Sequence, residues 1–247
     1  MTSDQLPVTQ EQRTQSEIQG IFDRIAPVYD QLNDRLSFGQ HRIWKRMAVK
    51  WANPQAGDTA LDLCCGSGDL ALILAKFVGR EGQVIGADFS SQQLAIARQR
   101  QQQKGILPLI EWVEADALNL PFPDNRFDCA TIGYGLRNVT NLTGCLAEVY
   151  RVLKPGASAA ILDFHRPYHP LLRQFQEWYL QAWVVPSAEQ LGLKEDYAYI
   201  SPSLDRFPQG REQVKLAEAV GFTPVKHYPI AMELMGVLVI TKPLSFP

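Results

Sequence analysis

Apolar residues follow two kinds of spacing between residues 58 and 165, and the two kinds alternate along the chain. Short apolar runs predict β-strands, whereas an apolar residue every three to four positions predicts an amphipathic helix. The predicted strands are Thr59–Leu63, Gln83–Ala87, Leu109–Glu114, Phe127–Ile132 and Ser158–Phe164. The predicted helices are Asp69–Val78, Ser91–Gln103 and Leu142–Leu153, with Pro155 and Gly156 stopping the last of them. Such alternation predicts a parallel sheet with helices on both faces.

Two further apolar runs near the C-terminus predict an antiparallel end to this sheet. A helix is expected over residues 211–220, ended by Gly221, followed by strands over Val225–Tyr228 and Val237–Thr241. The link between these two strands is short, and a short link joins antiparallel neighbours. We therefore expect an α/β, Rossmann-like fold with a mostly parallel seven-stranded sheet and an antiparallel C-terminal strand.

The N-terminal region divides into two parts. Residues 1–16 are polar and lack the apolar core of a signal peptide, so we expect a disordered lead-in. Residues 17–53 carry two apolar stripes at helical spacing, which are Ile18, Ile21, Phe22 and Ile25, then Ile43, Trp44, Met47 and Trp51. Two interpretations of this region stay open: a helical cap packed on the main domain, or a lid over a ligand.

The main domain is expected to span residues 54–247, with an aromatic helical insertion at residues 166–204. Two interpretations of the insertion also stay open. Its aromatic and aliphatic residues either line an apolar groove or belong to the ordinary core. The residues concerned are Trp178, Leu180, Trp183 and Val184.

Composition narrows the class of protein. The 247 residues carry a net charge of −2, which gives no general electrostatic attraction to nucleic acid. No apolar run approaches the roughly 18 residues of a membrane span. The four cysteines lack the spacing of a zinc site or a CxxC motif, so we expect reduced thiols and no metal site. They are Cys64, Cys65, Cys129 and Cys145.

A glycine turn between the first predicted strand and the first predicted helix indicates which kind of ligand the protein binds. Residues 62–69 read Asp-Leu-Cys-Cys-Gly-Ser-Gly-Asp. Gly66 and Gly68 let a ligand approach the backbone closely, and the following helix N-terminus offers free N–H groups. Asp62 and Asp69 would repel a pyrophosphate, but not a ligand that carries a cation and an amino group. The turn therefore favours S-adenosylmethionine over a dinucleotide.

Acidic residues also stand at the ends of the next two predicted strands. Asp88 ends the second strand, where a carboxylate can accept both ribose hydroxyls, and Asp116 follows the third, where it can accept from an adenine amine. Asp62 is placed either to hold an ammonium group or to orient the loop. Because ligands of open α/β sheets bind at the carboxyl ends of the strands, these acids predict a mouth suited to a cation. Capping a helix or a turn is the alternative role for Asp88, Asp116 and Asp69.

Longer segments of the chain resemble a known family. The turn at residues 62–69 resembles motif I of class I S-adenosylmethionine-dependent methyltransferases. Leu120–Asp128, followed by Gly135–Val139, resembles the family within that class that C-methylates the quinone rings of ubiquinone and menaquinone. Phe22–Asp30 and Ser37–Lys45 match the same family, so the resemblance covers nearly the whole chain.

The resemblance implies a class I methyltransferase fold and S-adenosylmethionine as the cofactor. Together with the strand-end pattern, it predicts a set of cofactor-binding residues along the predicted sheet edge. They are Asp62, Cys64, Gly66, Ser67, Gly68, Asp88, Phe89, Asp116, Ala117 and Gly133.

The resemblance further implies methyl transfer to a ring carbon of a reduced, electron-rich quinol. We expect Arg137 and Asn138 to orient the substrate, with Arg137 stabilising a phenolate oxygen or positioning a proton-accepting water. The alternative is that Arg137 pairs with a local acid and fixes the loop. His165 is a candidate general base or a structural histidine, and Tyr29 and His41 are candidates for closing the lid.

The C-terminal segment Ile230–Val239 departs from the common family pattern and resembles the branch that methylates the phytylated naphthoquinone precursor of phylloquinone in oxygenic phototrophs. The resemblance thus implies a demethylphylloquinone C-methyltransferase that acts last in phylloquinone synthesis. Demethylmenaquinone or a polyprenyl-benzoquinol is the alternative substrate. A Rossmann oxidoreductase and a non-catalytic S-adenosylmethionine-binding module are the alternatives of other classes.

The implied partners follow from that chemistry. We expect a prenylated or phytylated naphthoquinol as substrate, no nucleic acid, and transient contact with a membrane surface. The expected location is cytoplasmic and peripheral to the membrane. The oligomeric state, a homodimer among the options, stays open.

Overall fold

A computed structural model describes residues 14–26, 37, 39–105 and 110–244 of the protein. Its seven strands form one sheet. They are β1 (Thr59–Leu63), β2 (Gln83–Asp88), β3 (Ile110–Glu114), β4 (Phe127–Gly133), β5 (Leu153–Phe164), β6 (Val225–Ile230) and β7 (Met235–Thr241). The order across the sheet is β3-β2-β1-β4-β5-β7-β6, with β7 antiparallel to both of its neighbours and β1 to β5 parallel. The predicted α/β fold with an antiparallel C-terminal strand is confirmed.

Helices cover both faces of the sheet. They are α1 (Gln15–Ile25), α2 (His41–Trp51), α3 (Asp69–Val78), α4 (Ser91–Lys104), α5 (Leu142–Val152), α6 (Pro170–Tyr179), α7 (Val185–Glu189), α8 (Lys194–Ala198), α9 (Ile200–Arg206) and α10 (Gly210–Val220). A 3₁₀ turn at Leu136–Asn138 follows β4, and a π-helical turn at Leu180–Val184 joins α6 to α7.

The largest boundary error is at the start of β5, which was expected at Ser158. The preceding helix ends at Val152, close to the predicted Leu153, but β5 already begins at Leu153, so Pro155 and Gly156 lie in the strand and not in a loop that stops the helix. The pairing of β5 with β4 shifts between Leu153 and Ser158, which lie opposite Phe127 and Cys129. Proline, which has no N–H to donate, is tolerated at such an irregularity, so Pro155 lies within the strand.

Alternate residues of the strands face two separate cores. Leu61 and Leu63 point toward one cluster, which includes residues of α5 and α10, while Ala60 points toward another, which includes residues of α2 and α3. This alternation is the two-residue period of a strand. Each fully buried leucine or isoleucine contributes about 1.5–3 kcal/mol. The sheet is thereby held from both sides, and the carboxyl ends of β1 to β5 share one edge.

The two N-terminal helices pack differently. In α1, Ile18, Ile21 and Ile25 are buried against the helices of residues 180–204, as the predicted stripe requires. In α2 the predicted stripe is wrong at Ile43, which is 60% exposed. The buried face of α2 is instead formed by His41, Lys45, Ala48 and Val49. The position expected for Tyr29 lies outside the described residues.

Candidate active site

The glycine turn after β1 is shaped by a tryptophan behind it. Cys64, Gly66 and Gly68 all have left-handed backbone conformations, with φ of 53°, 51° and 86°. A Cβ on Gly68 would lie 2.5 Å from the ring of Trp112, and a Cβ on Gly86 would meet the same ring at 2.5 Å. Gly68 is therefore required by packing against Trp112 as well as by its conformation. Gly68 lines neither of the two cavities described below.

Asp62 is buried and connects β1 to α3 and β4 through hydrogen bonds. Its carboxylate accepts hydrogen bonds from Ala71 N at 2.8 Å and from Thr131 Oγ1 at 2.8 Å. Burial raises the pKa of Asp62 to about 7, although these two hydrogen bonds oppose the shift. Asp62 is 0% exposed and lines neither of the cavities described below. Its geometry matches the loop-orienting alternative rather than contact with an ammonium group.

The acid at the other end of the turn is neutralised by two cations. Lys45 Nζ lies 2.5 Å from Asp69 Oδ2, and the Arg100 guanidinium pairs with the other carboxylate oxygen. Burial acts to raise the pKa of Asp69, but Lys45 and Arg100 lower it well below the ordinary carboxyl range. The negative charge of Asp69 is therefore compensated, so Asp69 would not repel a pyrophosphate as expected from the sequence. It ties α2 and α4 to the first turn of α3.

A first cavity opens at the carboxyl ends of β1, β2, β3 and β4. Its empty volume is about 950 Å³, open solvent included. All predicted cofactor residues except Asp62 and Gly68 line it. Those residues are Cys64, Gly66, Ser67, Asp88, Phe89, Asp116, Ala117 and Gly133.

Asp88 is the best-positioned acid of this first cavity. Its two carboxylate oxygens accept from Gly66 N at 2.8 Å and Ser90 N at 2.9 Å, so it connects the glycine turn to the start of α4. Burial raises the pKa of Asp88 to about 6. Asp116 accepts from Leu118 N at 2.9 Å and also borders the cavity. Capping by Asp88 and Asp116 is thus present, and it does not remove either residue from the cavity wall.

A second, larger cavity lies between the sheet edge, α1, α2 and the helices of residues 170–204. Its empty volume is about 1600 Å³, open solvent included. Most of its wall is aliphatic or aromatic, with lining residues that include Ile21, Ile25, Trp44, Phe164, Phe175, Tyr179, Leu180, Val184, Tyr197 and Met235. Phe22, Tyr134 and Asn138 line both cavities. The two cavities therefore adjoin at these three residues.

Leu180 and Val184 line this second cavity, as the groove interpretation of the insertion predicts. Trp178 and Trp183 do not; they are 55% and 58% exposed. Of the four residues named for the groove, the two aliphatic ones thus face the cavity and the two tryptophans face outward.

Arg137 borders the second cavity and is held from behind by Asp163. Arg137 Nε lies 3.2 Å from Asp163 Oδ1, and Arg137 N donates to Asp163 Oδ2 at 3.0 Å. Its terminal nitrogen also donates to Asn138 Oδ1 at 2.7 Å. Burial raises the pKa of Asp163 to about 6, opposed by the charge of Arg137. Arg137 thus pairs with a local acid, as the alternative interpretation expects, and it also lines the second cavity. Its contact with a substrate stays a prediction.

His165 is not brought to either cavity. It is 1% exposed, and its Nδ1 lies 3.1 Å from Arg166 O. Its ring centroid lies 5.1 Å from that of His227, and burial lowers the pKa of His165. His227 itself fills the space that a Cβ on Gly210 or on Gly236 would need, at 2.3 Å and 2.1 Å. These contacts are those of a structural histidine, the alternative left open for His165.

His41 does line the second cavity, where its Nδ1 lies 2.7 Å from Ser37 Oγ. Three further residues of the site were not predicted: Lys45, Tyr134 and Asp163. Tyr134 stands between Gly133 and Gly135 directly after β4, and this Gly-Tyr-Gly pattern was an available signal. A Cβ on Gly133 would lie 2.5 Å from Leu70, and one on Gly135 would lie 2.3 Å from Cys64. Tyr134 has a φ of 60°, a strained value for a non-glycine residue at a cavity wall.

The first cavity fits S-adenosylmethionine by the charges of its wall. Asp88 and Asp116 face it with carboxylates, while the lysine in its lining, Lys45, is engaged by Asp69. Cys64 stays a neutral thiol, because burial raises its pKa well above the ordinary value. A wall with this surplus of negative charge suits a ligand that carries a cation, and the carboxylates suit its hydroxyl and amine donors.

Solved structures with similar folds define the class of fold. A SAM dependent methyltransferase from Aquifex aeolicus matches with a TM-score of 0.59 and 18% identity, covering 93% of this chain and 99% of that one. The [4+2]-cyclase SpnF also matches, with a TM-score of 0.60, 20% identity and coverage of 94% and 97%. The fold is that of the class I S-adenosylmethionine-dependent methyltransferases. SpnF shows that the fold alone does not fix the reaction.

Sequence comparison narrows the class to a family. The model of the ubiE/COQ5 methyltransferase family matches residues 8–242. The chain belongs to that family; it is a methyltransferase, and its cofactor is S-adenosylmethionine.

Curated relatives are similar over nearly their whole length. The chain is 65% identical over 227 residues to the 2-phytyl-1,4-naphthoquinone methyltransferase of Nostoc punctiforme, covering 92% of this chain and 99% of the relative. It is 49% identical to the chloroplastic 2-phytyl-1,4-beta-naphthoquinone methyltransferase of Arabidopsis thaliana, covering 89% and 85%. Among the described residues, no helix combines the length and the apolar character needed to cross a membrane.

The ion pairs of Asp69 make a first prediction. Replacing Asp69 by Asn leaves the buried Lys45 ammonium without its counter-charge, so we expect the free energy of unfolding at pH 7 to fall by about 3 kcal/mol. Lys45→Met should cost only about 1 kcal/mol, because Arg100 still neutralises Asp69. Urea unfolding of both variants measures the difference.

The pH dependence of the same experiment has a definite sign. Because the pKa of Asp69 is lowered in the folded protein, its contribution is present above the ordinary carboxyl range and is lost as the pH falls through the lowered value. The gap between the wild type and Asp69→Asn should therefore shrink in acid. If Asp69→Asn and Lys45→Met had equal free energies of unfolding at pH 7, Asp69 would not compensate the charge of Lys45.

Proposed function

We propose that this methyltransferase transfers the methyl group of S-adenosylmethionine to a ring carbon of reduced 2-phytyl-1,4-naphthoquinone, the last step of phylloquinone synthesis. One observation carries the proposal: a cavity with acidic groups adjoins a larger apolar cavity at Phe22, Tyr134 and Asn138. The first suits a polar cation and the second suits a ring with a hydrocarbon tail. Relatives at 49–65% identity bear the name of this activity.

The cofactor roles follow from the wall of the first cavity. Asp88 would accept the two ribose hydroxyls, and Asp116 would accept the adenine amine, each with an oxygen that also receives a backbone N–H. Gly66 and Ser67 would contact the amino acid part of the cofactor through the backbone. Asp62 would act indirectly, by fixing the turn and the start of α3.

No side chain of the protein has to form a covalent bond in the proposed reaction. The sulfonium of the cofactor supplies an electrophilic methyl group. The quinol supplies the electrons, and loss of a phenolic proton makes the adjacent ring carbon more nucleophilic. The chain's own residues have to align the ring carbon with the methyl group, stabilise a phenolate and exclude water.

Arg137 is the residue that we assign to the phenolate. It borders the second cavity beside Asn138, which lines both cavities. A guanidinium keeps its proton in proteins and is a poor base, so Arg137 would stabilise the phenolate oxygen or position the water that takes the proton. Asp163 would act as a positioning residue, because it holds both the backbone and the side chain of Arg137.

The hydrocarbon tail of the proposed substrate places the substrate in a lipid bilayer. Each buried CH₂ contributes about 0.8 kcal/mol to partition into lipid, so a phytylated quinol resides in a bilayer and not in water. We infer that the protein meets its substrate by transient contact with a membrane surface. The apolar wall of the second cavity would replace the lipid around the tail.

The substrate choice makes a second prediction. Radiolabelled S-adenosylmethionine is offered with reduced 2-phytyl-naphthoquinone, demethylmenaquinone and a polyprenyl-benzoquinol in parallel. We expect label in the phytylated naphthoquinol at least tenfold faster than in the benzoquinol. Label found only in the benzoquinol would overturn the substrate assignment, and stoichiometric cofactor binding without transfer to any quinol would indicate a binding module.

The Arg137–Asp163 pair makes a third prediction. Arg137→Ala should lower kcat by about 10²–10³-fold, as for the loss of an oxyanion-stabilising donor. Asp163→Asn keeps an acceptor for Arg137 N but loses the ion pair, so a smaller loss of kcat is expected. The cofactor Kd, measured by calorimetric titration, should stay within about threefold of the wild type in both. Loss of cofactor binding in a folded Arg137→Ala variant would refute the assignment to the substrate.

Asp88 makes a fourth prediction. Its raised pKa of about 6 means that it becomes protonated as the pH falls below 6, and a protonated carboxyl accepts hydrogen bonds less well. Affinity for S-adenosylmethionine, measured by calorimetric titration, should therefore fall between pH 7.5 and pH 5. Asp88→Asn should bind about 10–100-fold more weakly at pH 7.5 and lose most of this pH dependence.

Asp116→Asn serves as the matched control, since it also removes a cavity carboxylate but leaves Asp88 in place. It should weaken binding and keep the pH dependence. If Asp88→Asn retained the full pH dependence, another buried acid, such as Asp62, would be its source.

A further inference from the structure

The outer side of the insertion carries large apolar side chains that the fold leaves uncovered. Leu171, Phe175 and Trp178 of α6 are 67%, 43% and 55% exposed, and Trp183 of the π-helical turn is 58% exposed. The rings of Phe175 and Trp178 lie 5.8 Å apart. We call these four residues the aromatic face.

The helical geometry explains why the four residues share one side. Leu171, Phe175 and Trp178 are spaced by four and three positions, which places them in one row along α6. The π-helical turn at Leu180–Val184 takes one residue more per hydrogen-bonded ring than an α-helix. That extra residue turns Trp183 back toward the row instead of letting it rotate away.

The aromatic face is almost without charge. Glu177 is the one charged residue between positions 174 and 188. Its carboxylate lies 2.9 Å from the Arg166 guanidinium and accepts from Ser201 Oγ at 2.9 Å. The nearest cation on α6, Arg173, is paired with Asp205 at 3.2 Å. No unpaired charge in this segment opposes transfer of its outer side into an apolar medium.

The same segment forms a wall of the second cavity on its inner side. Gln176, Tyr179, Leu180 and Val184 line that cavity, and Phe175 both lines it and is exposed. One helical segment therefore separates the apolar cavity from the exterior, with Phe175 belonging to both sides. A tail leaving a bilayer at the aromatic face would have a short apolar path into the cavity.

We propose that the aromatic face is the surface that docks on a lipid bilayer and admits the tailed quinol to the second cavity. The proposal rests on the proposed function, because a phytylated substrate is what requires a lipid surface. Tryptophan favours the interface between lipid and water, and a helix with one apolar side lies flat in that layer. A lipid surface suits this face better than a polar protein surface, because the one charged residue between positions 174 and 188 is already paired with Arg166. For the same reason we expect docking on lipid without net charge.

Sedimentation with phosphatidylcholine vesicles that contain no quinone tests the docking by itself. We expect the wild-type protein to pellet with the vesicles and the W178A/W183A double variant to lose at least tenfold in partition coefficient. Both tryptophans line neither cavity, so the variant should keep the wild-type circular dichroism and urea midpoint. Leu244→Ala removes an equally exposed apolar residue, 63% exposed, near Gly156 and should pellet like the wild type.

An activity measurement separates docking from the proposed reaction. The double variant should methylate a short-tailed, water-soluble naphthoquinol at the wild-type rate but lose at least fivefold in rate with the phytylated quinol in vesicles. Absence of methyl transfer to either quinol, with vesicle binding intact, would defeat the proposed function and leave the docking surface standing.

Three results would overturn the docking proposal. They are a wild-type protein that stays in the supernatant, a folded double variant that pellets as well as the wild type, and light scattering that shows a wild-type dimer converted to a monomer by the double substitution. The last of these would assign the face to a second copy of this chain.

Discussion

One buried carboxylate joins the three elements on which the site is built. Asp62 lies in β1 and accepts hydrogen bonds from the backbone N–H of Ala71 in the first turn of α3 and from the hydroxyl of Thr131 in β4. Because both partners donate, the angle between sheet and helix is fixed where the glycine turn has to lie. An unpaired acid at 0% exposure would be costly, so the turn, the helix start and Thr131 depend on one another. The cavity walls inherit their positions from this arrangement.

A second set of contacts couples the N-terminal helices to the same edge. Lys45 of α2 reaches Asp69, and from α1 the Gln19 side chain donates to Phe89 O at 2.8 Å. Gln93 of α4 donates in turn to Phe22 O at 3.3 Å. Through these bonds α1 and α2 are attached to the first cavity, and residues of both helices also line the second cavity. The packing expected of a cap is present in these two helices, and the lid stays a prediction.

The sequence was informative where local chemistry decides the structure. Strand ends were predicted closely, because a run such as Thr59–Leu63 is bounded by residues that only a turn accommodates. Most of the residues predicted to bind the cofactor line the first cavity, since parallel strands bring Asp88 and Asp116 to one edge whatever the details of packing. Predictions were wrong where tertiary contacts decide whether a side chain faces the core or the solvent. Ile43 points outward although its spacing fits the helix stripe, because Lys45 takes the inner position to reach Asp69.

The same limit applies to chemistry that depends on distant partners. His165 follows a strand end as a catalytic base would, but His227 and the turn before β7 enclose it. The pairing of Arg137 with Asp163 joins residues 26 positions apart on neighbouring strand ends, and no spacing rule specifies it. Asp163 lies close to Arg137 because β5 pairs with β4, and the sequence does not specify this pairing.

His227 and the two glycines around it couple the substitutions that this part of the fold accepts. The imidazole occupies the volume that a methyl group at position 210 or 236 would need, from a helix start on one side and a strand on the other. Alanine at position 210 therefore requires a smaller residue at position 227. Position 236 is held more tightly, because a Cβ there would also lie 3.0 Å from His165 Nε2.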